Sequence, residues 1–229
     1  SGICWSPPAA TPDPALARPA CPAWPGGDTT GAWRVPWRMG LRHICYSVAA
    51  RLDGFITGPS GEIDWILVDP DIDFASLTEP CDTIVMGRST YLATRELGGP
   101  VPGMPGMRVV VCSTTLRPEQ CPEAELTDDA RELVAALRAE EGKDVWLFGG
   151  GVLCRNLLDA GLVDRVEVAI IPVLLGAGLP LVATAESRAP AALRLRGQRV
   201  YQKTGTVILE YDVDRVARSA ASAPAGDDR

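Results

Sequence analysis

The chain reads as a layered α/β domain, on three observations. From Met39 onward, short β-rich apolar runs alternate with helical patterns, as they do where strands and helices stack in layers. Those runs are continuously apolar rather than alternating, which suits strands covered on both faces. The last two, Leu193–Tyr201 and Thr206–Val213, flank Lys203-Thr204-Gly205 and predict an antiparallel hairpin.

Taken in order, the expected strands are 43–49, 83–86, 108–112, 145–148 and 165–171, each a short run rich in Val, Ile and other β-formers. Between the third and fourth, Asp128 or Asp129 is positioned to cap a helix on which Leu133, Ala136 and Leu137 share a face, and Gly142 is expected to stop it. A second helix follows Gly149-Gly150-Gly151, with Leu153 and Leu157 one turn apart and Gly161 at its end.

The flanks differ from this body. Residues 1–38 hold eight of the 20 prolines and four of the six tryptophans and show no periodicity, so they are expected to stand outside the fold. They lack the layout of a secretory signal, and Met39 is the expected initiator, the preceding stretch being leader or added extension. The domain is placed at 39–214 and a flexible Ala/Ser/Asp-rich tail at 215–229.

Composition narrows the function classes. A formal net charge of -7 disfavours general binding to nucleic acid, leaving room only for a local basic pocket. No apolar stretch approaches the roughly 20 residues of a membrane span, so no membrane partner is expected. Seven cysteines without a C-x-x-C pair, and His43 as the lone histidine, argue against structural zinc and for no metal site. The odd count reads as free thiols in a reducing compartment, hence a cytoplasmic protein. A Ser-His-Asp or Cys-His hydrolase would need an atypical base, and neither a P-loop nor the zinc-deaminase signature is present.

Two glycine corners carry the chemistry. In Phe148-Gly149-Gly150-Gly151 a strand enters a helix through residues without side chains, which lets a diphosphate approach free first-turn N–H groups. Met86-Gly87-Arg88-Ser89-Thr90-Tyr91 repeats the geometry: the Arg88 fork suits a 2′-phosphate, and Ser89 or Thr90 can cap the helix or donate to a phosphate. Each corner also has a plain reading, a tight turn for the first and a solvated arginine beside an ordinary N-cap for the second. Asp53, in Leu52-Asp53-Gly54, is either a turn residue or a pocket group that orients a substrate hydroxyl or assists proton delivery. Arg51 would meet an anionic substrate or lie exposed at a strand end; Asp64 and Trp65 would form a pocket wall or a cap beside a core ring. Asp69, Asp71 and Asp73 read as a solvated helix start rather than a cation site.

The order of these blocks, from Ala49-Ala50 and Leu52-Asp53-Gly54 through Gly87-Arg88-Ser89-Thr90, Cys112-Ser113-Thr114, Gly149-Gly150-Gly151 and Pro172-Val173-Leu174-Leu175-Gly176, resembles the dihydrofolate-reductase-like superfamily. Within it, the chain is similar to the C-terminal reductase domain of the bifunctional riboflavin-biosynthesis deaminase-reductase. The resemblance implies a three-layer α/β/α domain with a mixed, mostly parallel sheet and a C-terminal antiparallel hairpin. It implies NADPH as cofactor, with Gly149, Gly150 and Gly151 facing the diphosphate, Gly87, Arg88, Ser89 and Thr90 at the adenosine-side phosphates, Ser113 and Thr114 beside the adenine ribose, and the backbone of Ala49 against the nicotinamide. Asp53 would point toward the substrate. Arg51 stands where that family has the serine of Ser-Leu-Asp-Gly, which removes a hydroxyl from the substrate side.

The expected activity is thus NADPH-dependent hydride transfer to a C=N or C=O bond of a small heterocyclic or sugar-linked substrate. A rival class is a non-catalytic nucleotide-binding or regulatory module on the same fold. An apolar surface near 172–178 would serve a homodimer in either case. The shared premise is that the corners at 87–90 and 149–151 converge on one dinucleotide.

Overall fold

The computed structural model describes residues 42–96, 106–184 and 191–214. The expected extension at 1–38 and tail at 215–229 lie outside the described residues. The elements run β1 (Ile44–Arg51), α1 (Phe74–Thr78), β2 (Cys81–Gly87), α2 (Arg88–Glu96), β3 (Arg108–Cys112), β4 (Glu125–Thr127), α3 (Ala130–Ala139), β5 (Asp144–Gly149), α4 (Gly151–Asp159), β6 (Arg165–Ile171), β7 (Leu193–Tyr201) and β8 (Thr206–Val213). All seven strands read from the sequence form, four of them with the expected bounds. The three-residue β4 and the five-residue α1 carry no periodic pattern long enough to read in advance.

Local chemistry explains the helix ends. Asp129, not Asp128, caps α3: its carboxylate accepts from the Arg131 and Glu132 N–H groups, both at 2.9 Å. The buried stripe of α3 is Val134 and Leu137, while Ala136 is exposed, a shift of the expected face. The helix already ends at Ala139, because Glu140 takes extended backbone angles, so Gly142 lies beyond the stop. In α4, Leu153, Cys154, Leu157 and Leu158 are buried, and Gly161 follows at φ +69, a left-handed position that glycine accepts at little cost.

The strands form one sheet of order β4-β3-β2-β5-β1-β6-β8-β7, parallel from β4 to β6 and antiparallel at β8 and β7. Side chains alternate between two cores, as a period of two requires. Ile44, Tyr46, Ala50, Val85, Val145, Leu147, Val166 and Val168 pack with α3 and α4 on one face. Ile84, Met86, Val111, Trp146 and Phe148 pack with Tyr91 and Leu92 of α2 on the other. The three-layer architecture follows.

Topology then selects a site. The connection after β2 steps outward to β3, whereas that after β5 crosses β1 to reach β6. Adjacent strands whose connections leave in opposite directions open a crevice at their C-terminal ends, where ligands of open α/β sheets bind. That switch point lies between β2 and β5.

Candidate functional site

The two glycine corners meet at the switch point. Met86 pairs in register with Gly149, so the ends of β2 and β5 are neighbours. A β-carbon placed on Gly87 would lie 3.9 Å from the Gly149 carbonyl oxygen and 4.0 Å from the Gly150 nitrogen. One placed on Gly150 would lie 3.6 Å from the Thr90 hydroxyl oxygen. The convergence expected of 87–90 and 149–151 is therefore present.

The corners differ in detail from their sequence reading. α2 starts at Arg88 itself, with Arg88 and Ser89 exposed and Thr90 half-buried, so Gly87, rather than Ser89 or Thr90, immediately precedes the helix. Gly149 sits at φ +134, and the peptide joining it to Gly150 is cis. The bare face of Gly151 is already filled: an added β-carbon would stand 2.5 Å from the Pro180 carbonyl oxygen, and the Gly151 carbonyl accepts from Ala183 N–H at 3.1 Å. Glycine is needed at 151 so that the 180–183 segment can approach, whereas Gly87 and Gly150 keep their open faces. At the end of β3, the Ser113 hydroxyl oxygen accepts from the Thr115 and Leu116 N–H groups at 3.2 and 3.0 Å, closing a local turn, and Thr114 is exposed.

Next to this crevice, the end of β1 is organised by Arg51. The expected alternatives, an anion-binding or an exposed strand-end arginine, give way to a side chain with no exposed surface. Its guanidinium carbon lies 5.2 Å from the Phe55 ring centre and 5.6 Å from that of Trp65. Nε donates to Asp53 Oδ1 at 3.1 Å, Nη2 donates to the Ala177 carbonyl, and Nη1 is buried without a hydrogen-bond partner. Asp53 Oδ2 accepts the Leu175 and Gly176 N–H groups, both at 2.7 Å. The Gly176 N–H foremost, with the Leu175 N–H and the Arg51 charge, outweighs desolvation and holds the Asp53 carboxyl below its usual range. Asp53 is thus an anchor for the 175–176 turn and carries no proton of its own to deliver at neutral pH. Trp65 belongs to the Arg51 stack and donates from its indole to the Glu62 carbonyl at 3.0 Å, while Asp64 is exposed.

Asp69 departs furthest from its reading as a solvated helix start. It is fully buried, and its carboxylate accepts from the Thr204 N–H at 3.0 Å, the Thr204 hydroxyl at 2.9 Å and the Asp71 N–H at 2.9 Å. This pins the chain after β1 to the β7–β8 turn. The segment then runs to Pro80, whose carbonyl accepts from Asp144 at the start of β5. Between these two anchors it carries α1, in which Phe74, Ala75 and Ser76 are exposed and Leu77 and Thr78 half-buried. Right-handed crossover places it on the α2 side of the sheet.

The β1–β6 sheet face turned away from α3 and α4 is polar around Ser47 and Glu167, a feature that the apolar-run reading of β1 and β6 missed. Ser47 and Glu167 are registered partners on β1 and β6, two residues before the registered pair Ala49 and Ala169. The Ser47 hydroxyl donates to Glu167 Oε1 at 2.7 Å, and Arg199 Nη2 donates to Glu167 Oε2 at 3.1 Å and to Glu210 Oε1 at 2.9 Å. The Trp146 indole N–H donates to the Ser47 carbonyl at 3.0 Å and closes the β5 side. Burial, reinforced by Glu210 and opposed by Ser47 and Arg199, raises the Glu167 carboxyl above the usual glutamate range. A charged residue inside an otherwise apolar strand was the available signal.

The cysteines behave as small core residues. Burial pushes the Cys81, Cys112 and Cys154 thiols up to about 12 and Cys45 upward as well, so none is poised as a thiolate nucleophile. Among the described residues, no group of three His, Cys, Asp or Glu side chains is arranged to hold a metal, and no helix is long and apolar enough to cross a membrane.

Comparison with known proteins agrees with this geometry. The family model described as the RibD C-terminal domain matches residues 42–209. The uncharacterized protein YyaP of Bacillus subtilis (strain 168) is 33% identical over 161 residues, covering 64% of this chain and 84% of that one. The riboflavin biosynthesis protein RibD of Mycobacterium tuberculosis is 30% identical over 159 residues, 63% of this chain but 46% of RibD, so the chain spans about half of that relative. Among solved structures, a putative riboflavin biosynthesis protein from Shewanella sp. PV-4 superposes with a TM-score of 0.64 at 26% identity, covering 76% of this chain and 99% of that one. Dihydrofolate reductase from Enterococcus faecalis, 17% identical with a TM-score of 0.56 over 75% of this chain and 96% of that one, shares the fold. By its matched family model, its sequence relatives and its dihydrofolate-reductase-like sheet, the chain belongs to the RibD C-terminal domain family.

Proposed function

We propose that the chain is an NADPH-dependent reductase, transferring a hydride to a C=N or C=O bond of a small heterocyclic or sugar-linked substrate. The facing of Gly87 and Gly150 across the switch point carries this reading, because two open backbone corners at the starts of α2 and α4 fit a dinucleotide diphosphate. Gly87, Gly149, Gly150 and Thr90 would hold the diphosphate, with Arg88 and Ser89 in the first turn of α2 at the adenosine-side phosphates. Gly151 supports the corner from behind. Thr114, and Ser113 through whatever donor capacity its turn leaves, would lie beside the ribose, and the Ala49 backbone would lie against the nicotinamide. NADPH, when bound, supplies the hydride.

The chain's own work in this reading is to place the acceptor and exclude water. Trp65 builds the substrate-side wall with Arg51 buried behind it, and Asp64 lies at its exposed rim. Asp53, held ionised, serves by orienting a water rather than by giving up a proton. Residence in the cytoplasm and a homodimer through the exposed Leu174, Leu175 and Leu179 belong to the same reading.

Thermal-shift titration with NADPH and NADH tests it, with Arg88→Ala as the control. NADPH should stabilise the wild-type chain more than NADH, and the variant should lose that preference. No shift with either nucleotide would sink the reading. Saturable NADPH binding without NADPH consumption across a broad carbonyl and imine panel would favour a binding or regulatory module.

A further inference from the structure

We propose that the face of β6, β8 and β7 on the α3–α4 side is where this chain pairs with a second copy of itself, sheet on sheet about a two-fold axis. The surface is distinct from the leucines at 174, 175 and 179, and its use does not rest on the reductase reading.

The face is apolar from end to end. Residues paired in register share a side of the sheet, so Val166 and Val168 of β6 are continued by Tyr211 and Leu209 of β8. β8 passes that side on to β7, where Leu195 stands opposite Tyr211, Gln198 opposite Leu209 and Val200 opposite Val207. Val166 and Val168 lie in the core with residues of α3 and α4, which fixes the side. Among the described residues of β7 and β8, Val213 alone reaches that core. Farther out the cover stops: Leu193, Leu195 and Val200 are 44%, 55% and 53% exposed, while Leu209 and Tyr211 are half-buried.

Charge is confined to the other side. There Arg194 of β7 pairs with Asp212 of β8 at 3.1 Å, and Arg199 with Glu210 at 2.9 Å. The apolar side of the three strands carries no charged residue, its polar groups being Gln198 and the Tyr211 hydroxyl. Burying it desolvates no charge, and nothing on it would recognise a phosphate backbone or a charged peptide. A partner must therefore bring an equally uncharged sheet face. A second copy brings one in equal amount, and a two-fold contact requires only that the face match itself. Sheets stack in this way about 10 Å apart.

The edge disfavours the other way of joining two sheets. Among the described residues β7 ends the strand order, a position open to strand addition. Its pairing with β8 slips between Leu195 and Gly197, so Arg196 is an extra residue in the strand. Such a bulge bends and twists an edge, which blunts edge-to-edge pairing and leaves face-to-face stacking.

The size suits a reversible dimer. β8 has eight residues. At about 3.3 Å per residue and about 4.8 Å between strands, three such strands make a face of about 25 by 14 Å. Two copies cover about 700 Å² in plan, which side-chain relief and a rim raise toward the lower end of stable interfaces, about 1,200 Å².

Analytical ultracentrifugation of the full chain over about 1–100 μM, where a small interface associates, should show monomer giving way to dimer. Leu195→Lys combined with Val200→Lys puts two charges on the face and should stay monomeric throughout, with the far-UV spectrum of wild type. Leu174→Glu, on the turn after β6, and Arg194→Ala, on the charged side, should keep the dimerisation constant within about threefold of wild type. Hydroxyl-radical oxidation of the wild-type chain reads the same surface without variants. Leu193, Leu195 and Tyr211 should be protected at high concentration relative to low, and the exposed Leu52 should not. A wild-type monomer at every concentration, a dimer that survives both lysines, or protection that falls on Leu52 and Leu174 instead would each overturn the proposal.

Discussion

Arg51 and Asp53 form a buried clasp: the guanidinium Nε donates to Asp53 Oδ1 at 3.1 Å, and the other carboxylate oxygen holds the Leu175 and Gly176 N–H groups. The clasp ties the end of β1 to the 175–178 turn, and the Phe55 and Trp65 ring centres lie 5.2 and 5.6 Å from the guanidinium carbon. A fully buried cation tolerates loss of its partners poorly, since the remaining charge pays the desolvation cost alone.

Truncating the clasp should therefore be costly. Arg51→Ala is expected to destabilise the fold by about 3–5 kcal/mol, the range for breaking a buried charge pair. Arg51→Met, which retains the volume beside Phe55 and Trp65, should cost less than Arg51→Ala. Urea unfolding of both variants and of the Arg51→Ala, Asp53→Ala double variant measures the coupling; strictly additive single effects would show that the clasp does not act as a unit.

The same clasp has a pH signature. Asp53 is depressed in the folded chain, so its contribution is fully present above the ordinary carboxylate range and is lost as pH falls through its lowered folded value. Wild-type melting temperature should drop steeply on acidification from about pH 5 to pH 3. Asp53→Asn should melt lower at neutral pH and show a shallower decline, and an unchanged slope would refute the assignment.

Glu167 has the opposite sign. Its folded value is raised, so its relative stabilisation is present at low pH and is lost as pH rises through that value. Removing the charge should relieve that penalty: Glu167→Gln should gain melting temperature against wild type at pH 8 compared with pH 5. A difference that is constant across this range would count against a raised carboxyl.

The glycine corner separates packing from binding. Gly151→Ala drives a β-carbon to 2.5 Å from the Pro180 carbonyl oxygen and should destabilise by about 1–3 kcal/mol, as overpacking does. Gly150→Ala meets only ordinary contact with Thr90 at 3.6 Å, so it should fold with a change of under about 1 kcal/mol while weakening NADPH in the thermal-shift assay. Reversal of that order would show that Gly151, not Gly150, faces the ligand.

Asp69 provides the last test. Asp69→Ala removes the acceptor that holds both the Thr204 N–H and its hydroxyl, and should release the chain between β1 and α1 from the β7–β8 turn. Faster amide exchange at residues 66–73 and 202–205, with the β2–β5 core unaffected, is the expected pattern. Lys203→Ala, which removes only an exposed pairing with Asp71, should leave exchange as it was.

Much of the fold was legible in the residues alone. Thr83-Ile84-Val85-Met86 and Val145-Trp146-Leu147-Phe148 read as strands covered on both faces, and Gly87 and Gly149 mark where they turn into helices, because periodicity and glycine freedom are local properties. What a side chain touches is not local. Whether Arg51 is exposed or buried and whether Asp53 faces a ligand or a turn depend on Ala177 and Leu175, over a hundred residues away, and which of three consecutive glycines keeps an open face depends on Pro180, beyond the next strand. Asp69 and Glu167 were invisible as site residues for the same reason: their partners Thr204, Ser47 and Arg199 come together only when the sheet order β5-β1-β6-β8-β7 sets distant strands side by side.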